Sequence, residues 1–165
     1  MPNAHLHDLL IDELRDMLSA EKQLLKGLKV LQASARENSL KKAFEHHHEE
    51  TKGHIERLKE VFNSLDMAPR GKKCKAMEGL INEAQEIIEE FEGNPAQDAA
   101  LISAAQKIEH YEIASYGCLV SYAKLMQHQK AEKLLEETLK EEKSCDKNLS
   151  KIAMQDVNEH AHLVA

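Results

Sequence analysis

A run of histidines and glutamates, FEHHHEETKGH, occupies residues 44–54. Imidazole and carboxylate groups are the side chains that hold iron, manganese and zinc in proteins. Consecutive residues of a helix point about 100° apart, so three adjacent histidines cannot share one ion. A metal site here must therefore combine one of these histidines with groups from other parts of the chain.

The composition indicates a single all-α domain over residues 1–165. Of the 165 residues only 3 are Pro and 6 are Gly, and 31% are charged, as is usual for helical proteins. The net charge of -7 disfavours a nucleic-acid or anionic-membrane partner, since both need a basic surface. No segment approaches the roughly 20 apolar residues of a membrane span. The three cysteines do not form a disulfide pattern, and we expect a cytoplasmic protein.

The apolar periodicity predicts four long helices and one short helix. The long helices are expected at about 5–35, 40–65, 96–126 and 130–158. The short helix is expected at about 75–92, and the tail, 159–165, is expected to fray. Short links make each pair of long helices an antiparallel hairpin, and the long central connection can carry the chain back along the bundle. This is the one-crossover four-helix bundle of ferritin-like folds.

Projection of the helices at about 100° per residue places acidic side chains on the apolar faces. Glu21, Glu112 and Glu142 lie at the centre of the first, third and fourth long helices. On the second helix His47 is the inward histidine of the run, and Glu50 lies one turn further on at the margin of the apolar face. We interpret the rest of the histidine run as solvated surface.

Carboxylates on all four apolar faces would repel one another in a core unless they bound protons or cations. No lysine or arginine lies on these faces at that level to neutralise them. A divalent metal resolves the conflict, and hard oxygen ligands with one or two imidazoles suit Fe or Mn better than Zn.

Five segments of the chain carry a family resemblance: SAEKQL (19–24), AFEHHHEET (43–51), KCKAMEGLINEA (73–84), DAALISAAQKIEHYEIASYG (98–117) and KLLEETLKEEK (133–143). With these segments the chain closely resembles, over nearly its whole length, the YciF-like family of bacterial stress-response proteins. The resemblance implies a ferritin-like fold similar to that of rubrerythrin and a homodimer.

The ferritin-like ligand pattern has one Glu on each of two helices and Glu-x-x-His on each of the other two. Here Gly53 follows Glu50 by three residues and Cys145 follows Glu142 by three, so neither Glu-x-x-His is present. Carrying the pattern over position by position gives two ions of Fe or Mn, with Glu50 and Glu142 as bridges. The implied metal ligands are Glu21, His47, Glu50, Glu109, Glu112 and Glu142.

Three nearby residues keep alternative interpretations. Glu141 is the alternative to Glu142 if the helical phase is shifted by one residue. His54 is interpreted as a core histidine, with a ligand role as the alternative. Tyr116 is interpreted as a core aromatic whose hydroxyl is paired, with a supporting or radical role at the metal site as the alternative.

Two hypotheses of function follow. One is a di-metal oxidoreductase that handles oxygen or peroxide. The other is a non-catalytic helical homodimer that acts as a structural or interaction stress protein, whose buried acids hold metal weakly or stay protonated. The sequence identifies no redox partner, because it contains no CxxC module of the rubredoxin type that would feed electrons to the site.

Overall fold

The computed structural model describes residues 5–163, and all regular structure in that range is helical. The predicted all-α architecture, an antiparallel four-helix bundle with a long crossover that carries a short helix, is confirmed. The predicted and observed ends of the first four helices agree within two residues. The helices are α1 His5–Ser34, α2 Asn38–Ser64, α3 Lys75–Phe91, α4 Gln97–Leu125, α5 Gln129–Ile152 and α6 Asn158–Leu163.

Side-chain contacts show the antiparallel order of the long helices. Gln106 of α4 donates a hydrogen bond of 2.7 Å to Ser150 of α5. One turn later on α4, His110 lies 3.2 Å from Asp146, which is one turn earlier on α5. At the end of α1 the buried carboxylate of Asp98, at the start of α4, accepts hydrogen bonds from the backbone N–H groups that precede α2. This carboxylate satisfies donors that a helix start leaves free, and so it fastens the α1–α2 link to α4.

The crossover helix α3 packs on α1 and α4 of its own chain. Its N-cap is Cys74, whose Sγ accepts a hydrogen bond from the backbone N–H of Met77. Met77 and Ala84 are buried on its inner face. A Cβ at Gly27 of α1 would lie 3.4 Å from the Ile81 side chain, in van der Waals contact, so α3 packs closely on α1 there.

The end of the chain differs from the prediction. The tail was expected to fray from residue 159, but a π-helical turn, Ala153–Val157, follows α5 and α6 continues to Leu163. Ala153 and Val157 are buried, so the wider turn keeps apolar side chains on the bundle. Residues 164–165 lie outside the described range. Within residues 5–163 no helix is both long and apolar enough to cross a membrane.

Candidate metal centre

The four long helices bring six titratable side chains into the middle of the bundle, each at most 1% exposed. Residues three or seven apart share one face of a helix, which explains how α2 and α4 supply two groups each. The six residues are Glu21 from α1, His47 and His54 from α2, Glu109 and Glu112 from α4, and Glu142 from α5.

The six residues form two groups that meet at Glu142. In the first group, Nδ1 of His54 lies 3.0 Å from Oε1 of Glu142 and 3.3 Å from Oε1 of Glu21. In the second group, Nε2 of His47 lies 3.0 Å from Oε1 of Glu109 and 3.6 Å from Oε2 of Glu142. Glu112 belongs to the second group.

Glu142 therefore presents one carboxylate oxygen to each histidine. Its Oε1 faces His54 and its Oε2 faces His47. The two imidazole rings lie 6.1 Å apart between centroids. A carboxylate placed between two nitrogen ligands in this way has the geometry of a bridge between two ions.

Although several of them lie 3.0–3.6 Å apart, most of the inward-facing polar atoms make no hydrogen bond of suitable angle among the described residues. An unpaired buried polar atom costs about 1–3 kcal/mol, and more if it is charged. Eight such atoms in one small volume can be reconciled with a stable fold if a cation binds among them. The unpartnered atoms are Oε2 of Glu21 and Glu109, both carboxylate oxygens of Glu112 and Glu142, Nε2 of His47 and Nδ1 of His54.

The pKa values show how the centre balances its charge without a cation. Burial raises the pKa of Glu109 to about 8, despite the opposing effect of His47. Burial, with Glu142 and Glu21 nearby, raises the pKa of Glu112 well above its usual value. Without a cation, protons must therefore neutralise part of the cluster.

The two histidines respond in the opposite sense. Burial lowers their pKa values, but the surrounding carboxylates outweigh it: the pKa of His47 is raised well above 6.5, mainly by Glu109 and Glu142. The pKa of His54 is raised to about 11 by the nearby carboxylates of Glu141, Glu142 and Glu21. Burial raises the pKa of Glu142, but both histidines outweigh it and hold that pKa low. Glu142 is thus held in its ionised form.

A chain of hydrogen bonds holds His54 from its outer side. Its Nε2 lies 2.8 Å from Oε2 of Glu141, and Arg57 binds both oxygens of Glu141 at 2.6 and 2.7 Å. Carboxylates in this position orient the histidine ligands of metal sites. On the other side, the buried hydroxyl of Tyr116 donates a hydrogen bond of 2.5 Å to Glu21. The inward atoms of both residues are therefore held in place.

The structure brings together five of the six implied ligands and leaves Glu50 outside. The carboxylate of Glu50 is 20% exposed, with Oε2 3.3 Å from Nδ1 of His47 and Oε1 3.1 Å from Nε2 of His46. It lies at the margin of the apolar face of α2, where a side chain reaches the flank of His47 and not the centre of the bundle. This position corrects the interpretation of Glu50 as a bridge.

His54 belongs to the buried cluster, although the ligand pattern applied to the sequence did not include it. The ligand pattern was sought as Glu-x-x-His, and here the buried Thr51 stands three residues before His54. Helical projection had placed His54 near the apolar face, two turns after His47, so the necessary signal was present. His48 is also buried, at 8% exposure, which corrects its interpretation as solvated surface.

The fold and the centre define a class: an all-α bundle with carboxylate and histidine side chains clustered at its middle. The chain belongs to the family described as a domain of unknown function, DUF892, whose model matches residues 5–162. It is 49% identical over 157 residues to protein YciF of Escherichia coli strain K12, covering 94% of this chain and 95% of that protein. The YciF-like resemblance of the sequence is thereby confirmed.

Solved structures agree with this membership. The crystal structure of the E. coli stress protein YciF superposes with a TM-score of 0.90 at 48% identity, over 96% of this chain and 99% of that one. A protein from Rhodopseudomonas palustris, described as YcfI, a putative structural protein, gives 0.87 at 39% identity over 90% and 94%. A protein from Xanthomonas campestris shares the fold, with a TM-score of 0.73 at 19% identity over 94% and 95%.

Proposed function

We propose that this chain is a ferritin-like di-metal carboxylate protein of the bacterial stress response, which binds two Fe or Mn ions inside its four-helix bundle. The observation that carries the proposal is the convergence of eight unpartnered buried oxygen and nitrogen atoms from all four long helices. The set is rich in hard oxygen ligands with one imidazole for each ion, a combination that suits Fe or Mn.

One ion would be held by Glu21, His54 and Glu142. The second would be held by His47, Glu109 and Glu112, with Glu142 between the two. Both groups already have their ligand atoms within 4.8 Å of one another.

The proposed site has Glu142 as its one bridging carboxylate, and neither of its two histidines completes a Glu-x-x-His motif of the ferritin-like pattern. Thr51 stands where a Glu would precede His54, and its hydroxyl donates to the backbone carbonyl of His47 at 2.8 Å. Glu50, outside the buried groups, is suited to orient His47 through Nδ1.

Bound ions of this kind supply Lewis acidity and an open coordination position for oxygen or peroxide. The chain itself supplies orientation and exclusion of water. Tyr116 holds Glu21, and Arg57 holds Glu141 against His54. Leu14 and Leu24, two turns before and one turn after Glu21 on α1, are fully buried.

A cytoplasmic homodimer remains part of the proposal. Small side chains let two helices approach closely, and α4 carries a face of small residues: Ala99, Ala100, Ala104, Ala114 and Gly117. Ala104 on that face is buried within the chain, whereas a Cβ at Gly117 would meet no atom within 4 Å. Sedimentation velocity at micromolar concentration tests this assembly, and a monomer there would contradict it.

A second candidate function is a structural stress protein that binds no metal. The raised pKa values of Glu109 and Glu112 favour it, because protons can replace a cation in neutralising the core. Metal content separates the two functions. Elemental analysis measures the metal content of protein purified without chelator or nickel affinity resin. Chelator-treated protein is then reloaded anaerobically with Fe(II) or Mn(II), and native mass spectrometry counts the bound ions. We expect two ions per chain, and protein that retains none after reloading overturns the di-metal proposal.

A further inference from the structure

Cys145 lies beside the second group of the centre. It follows Glu142 by one helical turn on α5 and is half-buried. Its Sγ, one ring nitrogen of His47 and one carboxylate oxygen of Glu109 lie within 4.8 Å of one another. These three atoms come from three different helices, so the grouping is a product of the tertiary fold.

The two partners of this thiol are themselves unsatisfied. Nε2 of His47 and Oε2 of Glu109 are buried atoms that make no hydrogen bond of suitable angle, in residues that are 1% exposed. Both side chains belong to the group that Cys145 completes. A ligand bound there would contact nitrogen, oxygen and sulfur together.

The other two cysteines differ from Cys145 in surroundings. Cys74 caps α3, with Sγ accepting from Met77 and lying 3.2 Å from the hydroxyl of Tyr111. Cys118 is exposed. Cys145 alone among the three belongs to a group of possible metal ligands in the described part of the chain.

We propose that Cys145 binds, through its thiolate sulfur, the ion that His47 and Glu109 hold, an inference that rests on the proposed di-metal function. Metal–sulfur bonds of about 2.3 Å and metal–nitrogen or metal–oxygen bonds of about 2.0–2.1 Å bring such atoms well within 4.8 Å of one another. The Sγ–H bond breaks, its proton leaves to solvent, and a metal–sulfur bond forms with no change in the oxidation state of the metal.

The sulfur ligand makes the two ions unequal. The ion at Glu21, His54 and Glu142 has oxygen and nitrogen ligands alone. The ion at His47 gains a soft ligand, which favours Fe(II), Co(II) or Zn(II) over Mn(II) at that position. A mixed occupancy of the two positions follows from this difference.

Cobalt(II) provides the test, since it reports occupancy and sulfur ligation separately. Chelator-treated, reduced protein is titrated anaerobically with Co(II), and bound ions are counted by native mass spectrometry. The visible d–d bands follow occupancy, and a near-ultraviolet thiolate-to-cobalt charge-transfer band follows sulfur ligation. We expect both in the unaltered protein. In Cys145→Ser the near-ultraviolet band should disappear while cobalt still binds, and in the control Cys118→Ser both should remain.

Each other outcome is decisive. Stoichiometric cobalt without the near-ultraviolet band overturns the role of Cys145 and leaves the di-metal proposal standing. Absence of bound cobalt overturns the di-metal proposal, and the sulfur ligand with it. A band that survives Cys145→Ser also overturns the inference. If that variant fails to fold, X-ray absorption on the iron- or zinc-loaded unaltered protein replaces it, and a shell without sulfur at about 2.3 Å counts against Cys145.

Discussion

Nδ1 of His54 lies 3.0 Å from Oε1 of Glu142, and the other oxygen of that carboxylate lies 3.6 Å from Nε2 of His47. One side chain of α5 is thus shared by two histidines two turns apart on α2. The arrangement makes Glu142 the residue on which both halves of the centre depend.

Replacement of Glu142 should therefore remove both ions. We expect Glu142→Gln to bind neither ion stoichiometrically, because a neutral amide cannot bridge two cations. The metal-free variant should also lose about 3 kcal/mol of stability, since His47 and His54 lose an ionised partner. Native mass spectrometry and urea unfolding measure the two effects. The control is Glu136→Gln, an exposed residue on the same helix. Retention of two ions in Glu142→Gln would contradict the bridging role.

Glu112 should behave in the opposite way in metal-free protein. Both of its oxygens are buried without partners, and burial raises its pKa well above the usual value. Glu112→Gln removes an ionisable group that is costly to bury, so the metal-free protein should gain about 1–2 kcal/mol at pH 8 while metal binding weakens. Chemical unfolding with and without chelator checks this against the exposed control Glu136→Gln. A loss of stability in chelator would argue that Glu112 is well satisfied without metal.

The stability of metal-free protein should fall as the pH rises above about 5. The pKa of Glu109 is about 8 in the folded state and 4.5 in the unfolded state. Its contribution to the free energy of unfolding is therefore complete below pH 4.5 and is lost as the pH rises through 8. The pKa of His54 is about 11 against 6.5, so its contribution is complete below pH 6.5 and is lost as the pH rises through 11.

On the acid side the sign reverses for Glu141. Burial raises its pKa, but hydrogen bonds to His54 and Arg57 prevail and lower it to about 2. Its contribution to the free energy of unfolding is therefore present above pH 4.5 and is lost as the pH falls through 2.

Because of Glu109 and His54, the free energy of unfolding measured in chelator should decline by an amount on the order of 2 kcal/mol between pH 5.5 and 9. Excess metal should reverse that slope, because ligands bind metal in their deprotonated forms. A decline that begins only above about pH 6.5 in Glu109→Gln would assign the lower part of the decline to Glu109, and an unchanged profile in that variant would contradict the assignment.

Arg57 should tune metal affinity without contacting the metal. Its guanidinium donates a hydrogen bond to Glu141, whose other carboxylate oxygen is hydrogen-bonded to Nε2 of His54. Removal of such an outer partner costs about 10–100-fold in affinity, so Arg57→Met should bind metal about that much more weakly while still taking up two ions. Isothermal titration measures the change. Lys59→Met, at an exposed ion pair with Glu56 on the same helix, serves as the control. Equal effects from both variants would mean that Arg57 acts only through general surface charge.

The fold and most of the centre could be predicted from the sequence because both depend on helical periodicity, which is a local property. A period of 3.6 residues placed Glu21, Glu112 and Glu142 on buried faces, and the breaks in the pattern located the ends of the first four helices within two residues. The inward orientation of His47 followed from the same periodicity, as did the choice of Glu142 over the half-exposed Glu141.

The pairing of ligands required the tertiary structure. His54 and Glu50 both lie near one apolar face of α2, and periodicity cannot show which of them meets α5. The depth and rotation at which α2 packs against α5 bring His54 to Glu142 and leave Glu50 at the rim beside His46. Cys145 joins His47 and Glu109 for the same reason. Residues on separate helices come within bonding distance through the packing of whole helices, and that packing is determined by contacts far apart in the chain.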